Sequence, residues 1–117
     1  MKKVFYLKTC DTCRKIMAKF PMKGWELREI KTEPITDEEL EEMYKRAGSY
    51  EALFSKKSTQ LKLQELDVKS LVEEDFKRLL TDHYTFLKRP VFMTDDKIFI
   101  GNDKKTLEEL RAFFISG

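Results

Sequence analysis

The chain has 117 residues, 38% of them charged and 41% hydrophobic, with a formal net charge of +2, a balance that suits one globular domain rather than a disordered chain. One histidine, His83, and two cysteines, Cys10 and Cys13, exclude a two-histidine metal motif, a disulfide-rich scaffold and a Cys/His zinc finger with a second half-site. No apolar run approaches the roughly 20 residues of a membrane span, the first residues are too short an apolar stretch for a signal peptide, and without a polybasic run direct nucleic-acid binding is unsupported.

Residues 3–7 (Lys-Val-Phe-Tyr-Leu) are short and β-favouring, which predicts a strand. From Asp11 to about Phe20 a helix is predicted, with Ile16, Met17 and Phe20 on one face and Pro21 as its stop. Trp25–Ile30 alternates apolar and charged residues and reads as a second strand with one buried face. Strand, helix and strand within thirty residues imply a parallel βαβ unit. Thr36-Asp37-Glu38-Glu39 is a capping box, and Leu40, Met43, Tyr44 and Ala47 then share one helical face up to Gly48. Residues 58–66 predict a shorter helix carrying Leu61 and Leu66. Ser70-Leu71-Val72-Glu73 reads as a second capping box, opening a helix with Val72, Phe76, Leu79, Leu80 and His83 inward. Val91-Phe92-Met93 and Ile98-Phe99-Ile100, separated by a short polar turn, predict a β-hairpin. Asn102 or Asp103 should cap a last helix whose inward residues are Leu107, Leu110 and Phe114.

The order is therefore β-α-β, a helical block, then β-β-α. Without the block this is the order of a thioredoxin-like α/β fold with a mixed four-stranded sheet. The expected division is a single domain, 1–117, with residues 1–33 and 70–117 as core and 34–69 as an inserted helical subdomain.

Charge is unevenly spread. Residues 1–31 hold nine Lys/Arg against three Asp/Glu, net +6, and residues 32–51 hold two against seven, net −5. The positive field surrounds the cysteines and would favour thiolate over thiol and draw anions; the plainer alternative is that both stretches are solvated faces. Cys10-Asp11-Thr12-Cys13 follows a strand and opens a helix, the placement of a redox C-x-x-C motif. Cys10, at the helix start, is where free N–H groups and the macrodipole stabilise a thiolate. Cys13 lies one turn inside, within disulfide reach. Cys10 is thus the expected nucleophile and Cys13 the resolving thiol; the plainer alternative is two inert core cysteines. Arg14 could lean back toward Cys10. Arg89-Pro90 precedes the third strand, where a proline suits a strand start or, more sharply, a cis peptide packed beside the thiol with Arg89 in the same pocket. His83 reads as structural. Lys56 and Lys57 sit in a loop and read as ordinary exposed lysines or as an anion site.

Tyr6, Cys10-x-x-Cys13-Arg14-Lys15, Glu33-Pro34, Phe54-Ser55-Lys56-Lys57-Ser58, Leu87-Lys88-Arg89-Pro90-Val91 and Ile100-Gly101, in that order, resemble the arsenate reductase (ArsC)-like family, including its Spx-type branch. The resemblance spans nearly the whole chain. It implies a thioredoxin-like fold with a helical insertion, a cytoplasmic location and a cis proline at Pro90. Cys10 would be the catalytic or redox-sensing cysteine, and Arg89 the arginine that meets anions beside it. Arsenate reductases of the family use three arginines. Here Arg89 has a counterpart, the middle position falls near Lys57, and the third falls at Gly101-Asn102-Asp103. The resemblance leaves three readings open. One is a thiol oxidoreductase acting on a small anionic or disulfide substrate. The second is an Spx-like regulator binding the RNA polymerase α subunit through a Cys10–Cys13 switch. The third is a family member without turnover. A monomer with no bound cofactor or metal is expected, with glutathione, glutaredoxin or thioredoxin as external thiol donor.

Overall fold

The computed structural model describes residues 1–116. Strand β1 (Lys2–Tyr6) leads into helix α1 (Asp11–Ala18) and strand β2 (Glu26–Glu29). β1 and β2 pair in parallel, from Lys3 opposite Glu26 to Tyr6 opposite Glu29, which two neighbouring strands can do only through a crossover such as α1. The hairpin of β3 (Val91–Thr94) and β4 (Ile98–Ile100) completes the sheet. β3 runs antiparallel to β1, with Phe5 opposite Val91 and Lys2 opposite Thr94. The order is β2-β1-β3-β4, the mixed four-stranded sheet expected of this α/β fold. The central strands carry the apolar burden, and Val4, Phe5, Val91, Phe92 and Met93 are all buried.

Around this sheet, Val4, Ile16, Trp25, Phe92, Phe99 and Leu110 form one core cluster, joined by Phe20, Phe113 and Phe114. The rings meet in the arrangements their quadrupoles prefer. Trp25 stands edge-on to Phe92 at 5.4 Å, and Phe20 stacks on Phe114 at 4.6 Å. Helix α5 (Lys104–Ser116) supplies Leu110 and the two phenylalanines. Its start is fixed by Asp103, whose carboxylate accepts the Thr106 N–H at 2.7 Å. α1 ends at Ala18, with Lys19 as its C-cap, two residues short of the predicted end.

β2 departs from the alternating pattern read in the sequence. Leu27 is 50% exposed while Arg28 is buried. The guanidinium of Arg28 lies 5.8 Å from the Phe5 ring centre and donates to the Glu33 carbonyl at 3.3 Å. On an edge strand a leucine can face outward, and an arginine can bury its stem against an aromatic while its head stays bonded.

The chain divides into two units: residues 1–33 with 89–117, which form the sheet unit just described, and Pro34–Lys88. The second unit is helical, with α2 (Asp37–Ala47), the short α3 (Gln60–Leu63) and α4 (Glu73–Asp82). α2 is bounded as its sequence predicts. Thr36 Oγ1 accepts the Glu39 N–H at 3.0 Å, and the Glu39 carboxylate accepts the Thr36 N–H at 2.9 Å. Gly48, at φ +86°, closes the other end in a left-handed conformation that suits glycine. The region 58–66 contributes only α3, with Leu61 buried and Leu66 half-buried.

The second capping box reads differently in the structure. Val72, not Ser70, precedes α4, and it is 61% exposed rather than inward. The Asp75 carboxylate accepts the Val72 N–H at 2.9 Å, while Ser70 donates to the Asp67 carbonyl within a short 3₁₀ turn. Glu73, the residue expected to complete the box, accepts the Tyr50 and Glu51 N–H groups at 2.7 and 3.0 Å. Phe76 of α4 packs edge-on to Phe54, which stacks on Phe86. Backbone bonds then tie Ser55 to Phe86 and Lys88 to Leu53. These links hold α4 within the helical unit, so the later boundary falls at Lys88/Arg89 rather than near Ser70. His83 caps the turn after α4: its Nδ1 accepts the Thr85 N–H at 3.2 Å, and its ring stacks on Tyr84. Among the described residues no helix is long and apolar enough to cross a membrane.

Candidate functional site

β1 ends at Tyr6, and a tight turn over Leu7–Cys10 follows, closed by the Cys10 N–H donating to the Leu7 carbonyl at 3.2 Å. Cys10 then takes the N-cap position of α1 in an extended conformation, φ −91° and ψ 109°. Its Sγ accepts the Cys13 N–H at 3.5 Å. This is one of the donors that every helix start leaves without an intrahelical partner, here satisfied by sulfur rather than oxygen. Cys13 is fully buried and Cys10 is half-buried, and both are free thiols.

The environment separates the two thiols. Burial works to raise the Cys10 value, but it is outweighed. The Cys13 N–H, the Cys13 thiol, the positive charge of Arg89 and the Thr12 N–H all favour the anion, so the Cys10 thiol is held below its ordinary value. Cys13 is pushed up to about 12, first by burial, against a lowering by the Leu7 backbone, and further by its bond to Cys10 and by the Cys10 charge. One thiol is partly accessible and ionises more readily than an ordinary cysteine. The other is a buried group that stays protonated while Cys10 is anionic.

Arg89 reaches this place through the sheet. Val91 pairs with Phe5, so the two residues before β3 fall beyond the carboxyl end of β1, where the Leu7–Cys10 turn begins. The Arg89–Pro90 peptide is cis, Pro90 and Arg89 Nε are buried, and the Pro90 carbonyl accepts the Gly101 N–H at 2.9 Å. Cys10, Cys13 and Arg89 are thus brought together. Arg14 is turned elsewhere: it pairs with Asp11, and its side chain is 63% exposed. Lys57 is exposed in a turn of the helical unit beside Lys56, which pairs with Glu51 at 2.8 Å. The Thr12 N–H is one of the helix-start donors expected at Cys10, whereas the backbone of Leu7, which acts on the Cys13 sulfur, escaped the sequence reading, because a main-chain donor from a strand end leaves no mark on residue type. Among the described residues no group of His, Cys, Asp or Glu could hold a metal ion.

Residues 5–110 match the ArsC family. No curated protein matches the chain. Solved structures share its fold at low identity. A protein from Bacteroides fragilis described in relation to the ArsC family is 23% identical, with a TM-score of 0.76 over 93% of this chain and 96% of that one. An arsenate reductase from Vibrio cholerae is 16% identical, with a TM-score of 0.75 over 95% of each chain. An arsenate reductase-related protein from Brucella melitensis is 20% identical, with a TM-score of 0.68 over 92% of each.

Proposed function

The chain belongs to the ArsC family, and on that premise we propose that it is a thiol–disulfide oxidoreductase with Cys10 as nucleophile and Cys13 as resolving thiol. The observation that carries this is the sulfur of Cys10 at the N-cap of α1, accepting the Cys13 N–H. In the forward step the Cys10 thiolate attacks one sulfur of a substrate disulfide. A mixed disulfide forms, and the other substrate sulfur leaves as a thiolate that takes a proton from water. The Cys10 charge is one cause of the high Cys13 value, and the mixed disulfide removes it. Cys13 then gives up its proton more readily, attacks the Cys10 sulfur and expels the second substrate thiolate. The substrate gains two electrons and the pair becomes a disulfide, which an external dithiol or two glutathione molecules reduce again.

A disulfide suits this site better than a tetrahedral oxyanion. After β4 the chain offers Gly101-Asn102-Asp103, and the Asp103 carboxylate is committed to the start of α5. Arg89 adds a fixed positive charge to Cys10, and a single guanidinium fork grips a tetrahedral oxyanion less well than a set of them. The test is the rate of alkylation of Cys10 against pH. An apparent pKa clearly below the ~8.5 of a free thiol is expected, and a value at or above it ends this reading.

A further inference from the structure

Glu29 ends β2 opposite Tyr6, and its carboxylate does two separate things. Oε1 accepts the Lys31 and Thr32 N–H groups and the Thr32 hydroxyl at 2.8–3.0 Å, a local turn. Oε2 is directed elsewhere, accepting the Lys8 N–H, 21 residues away in sequence, at 2.9 Å. The local turn needs only one oxygen; the second links the end of β2 to the turn that carries Cys10. The Ile30 N–H to Tyr6 carbonyl bond ends the ladder between the strands, and the carboxylate continues that link two residues further along. Lys8 sits between Leu7, whose carbonyl holds the Cys10 N–H and whose backbone bonds the Cys13 sulfur, and Cys10 itself.

We propose that Glu29 is a positioning residue for the dithiol, fixing the Leu7–Cys10 turn so that both sulfurs meet their backbone partners. The proposal rests on the thiol–disulfide reading and adds a residue to it that touches neither sulfur. Its four donors stabilise the carboxylate. Burial, which works against ionisation, is outweighed by the Lys8, Thr32 and Lys31 bonds, and the group is held below the usual carboxylate value. A glutamine at this position keeps one oxygen for one of the two tasks and turns an N–H₂ toward a donor in the other.

The experiment titrates Cys10 by alkylation in the full chain, comparing wild type, Glu29→Gln and Thr32→Val. Thr32→Val removes one bond to Oε1 and leaves the Lys8 link, so Cys10 should titrate as in wild type. Glu29→Gln should raise the apparent Cys10 pKa by at least about half a unit, about a threefold loss of thiolate below the midpoint. Loss of a residue that only adds stability would lower the unfolding midpoint and leave this pH profile in place. A folded Glu29→Gln protein with the wild-type profile overturns the proposal. If that variant does not fold, the wild-type amide resonances are followed through the titration of Glu29. Movement of Lys8, Cys10 and Cys13 with the Glu29 midpoint supports the link, and movement of Lys31 and Thr32 alone overturns it. An ordinary thiol pKa for Cys10 in wild type would sink the dithiol reading itself. An activated Cys10 indifferent to Glu29 sinks only the present proposal.

Discussion

The starts of α1 and α2 solve one problem with different atoms. At each, the side chain of a residue with extended backbone accepts the N–H three residues on: Thr36 Oγ1 from Glu39 at 3.0 Å, and Cys10 Sγ from Cys13 at 3.5 Å. At α2 the bond is returned, since the Glu39 carboxylate accepts the Thr36 N–H. Two neutral donors are satisfied there, and the result is a well-bounded helix. At α1 the acceptor is a thiol, a weak acceptor when neutral and a strong one when ionised. The same N–H therefore favours the anion, and what the α2 start contributes to stability the α1 start contributes to acidity. The residue three along completes the contrast. In α2 it is a reciprocal cap, and in α1 a second, buried sulfur.

Exchanging the two solutions is the sharpest way to probe that contrast. Cys10→Ser should reduce thiol–disulfide exchange to background, while the hydroxyl remains a competent cap and keeps stability within about 1 kcal/mol of wild type. Turnover and denaturant unfolding, measured together, check both halves, and retained turnover would break the assignment. Cys13→Ser should leave the first attack intact and stop at the mixed disulfide. Mass spectrometry would then find the protein heavier by one substrate thiol, whereas continued turnover would remove Cys13 from the second step. Arg89→Met should raise the Cys10 value by about one unit, roughly a tenfold loss of thiolate below its midpoint, read from the pH dependence of alkylation. Arg89→Lys, which keeps the charge, should restore part of it. The smallest effect belongs to α2. Thr36→Ala should cost about 1 kcal/mol by chemical denaturation and leave Cys10 reactivity unchanged. A matching loss of reactivity would mean that the two helix starts are not independent.

Much of the fold was legible because its rules are local. Val4 to Tyr6, the box from Thr36 to Glu39, Gly48 after Ala47 and the two apolar runs around Thr94–Lys97 each announce an element within a few residues. Failures came where a distant partner decides. Glu73 looked like half of a box with Ser70, but the Tyr50 and Glu51 amides hold it from 23 and 22 residues away. Leu27 and Arg28 exchanged faces because β2 is an edge and Phe5 offers its ring to a cation. The site divides in the same way. Cys10 and Cys13 could be read from one helix start, and the wider family pattern named Arg89. Only the antiparallel pairing of β3 with β1 explains physically why Arg89 comes beside them. Arg14, adjacent in sequence to the motif, is instead occupied by Asp11. The link from Glu29 to Lys8 has no signature in residue type or spacing.

The aromatic residues make the two units optically distinct. The single tryptophan, Trp25, lies in the core of the sheet unit against Phe92. The helical unit has no tryptophan, and Tyr44 and Tyr50 stack there at 4.3 Å. Indole emission therefore reports on the packing of the unit that holds the thiols, while far-ultraviolet ellipticity reports on helices of both units. Coincident melting curves at the two wavelengths would signify one cooperative transition. Separated curves would show the core around Trp25 loosening apart from part of the helix content, without labels or added chromophores.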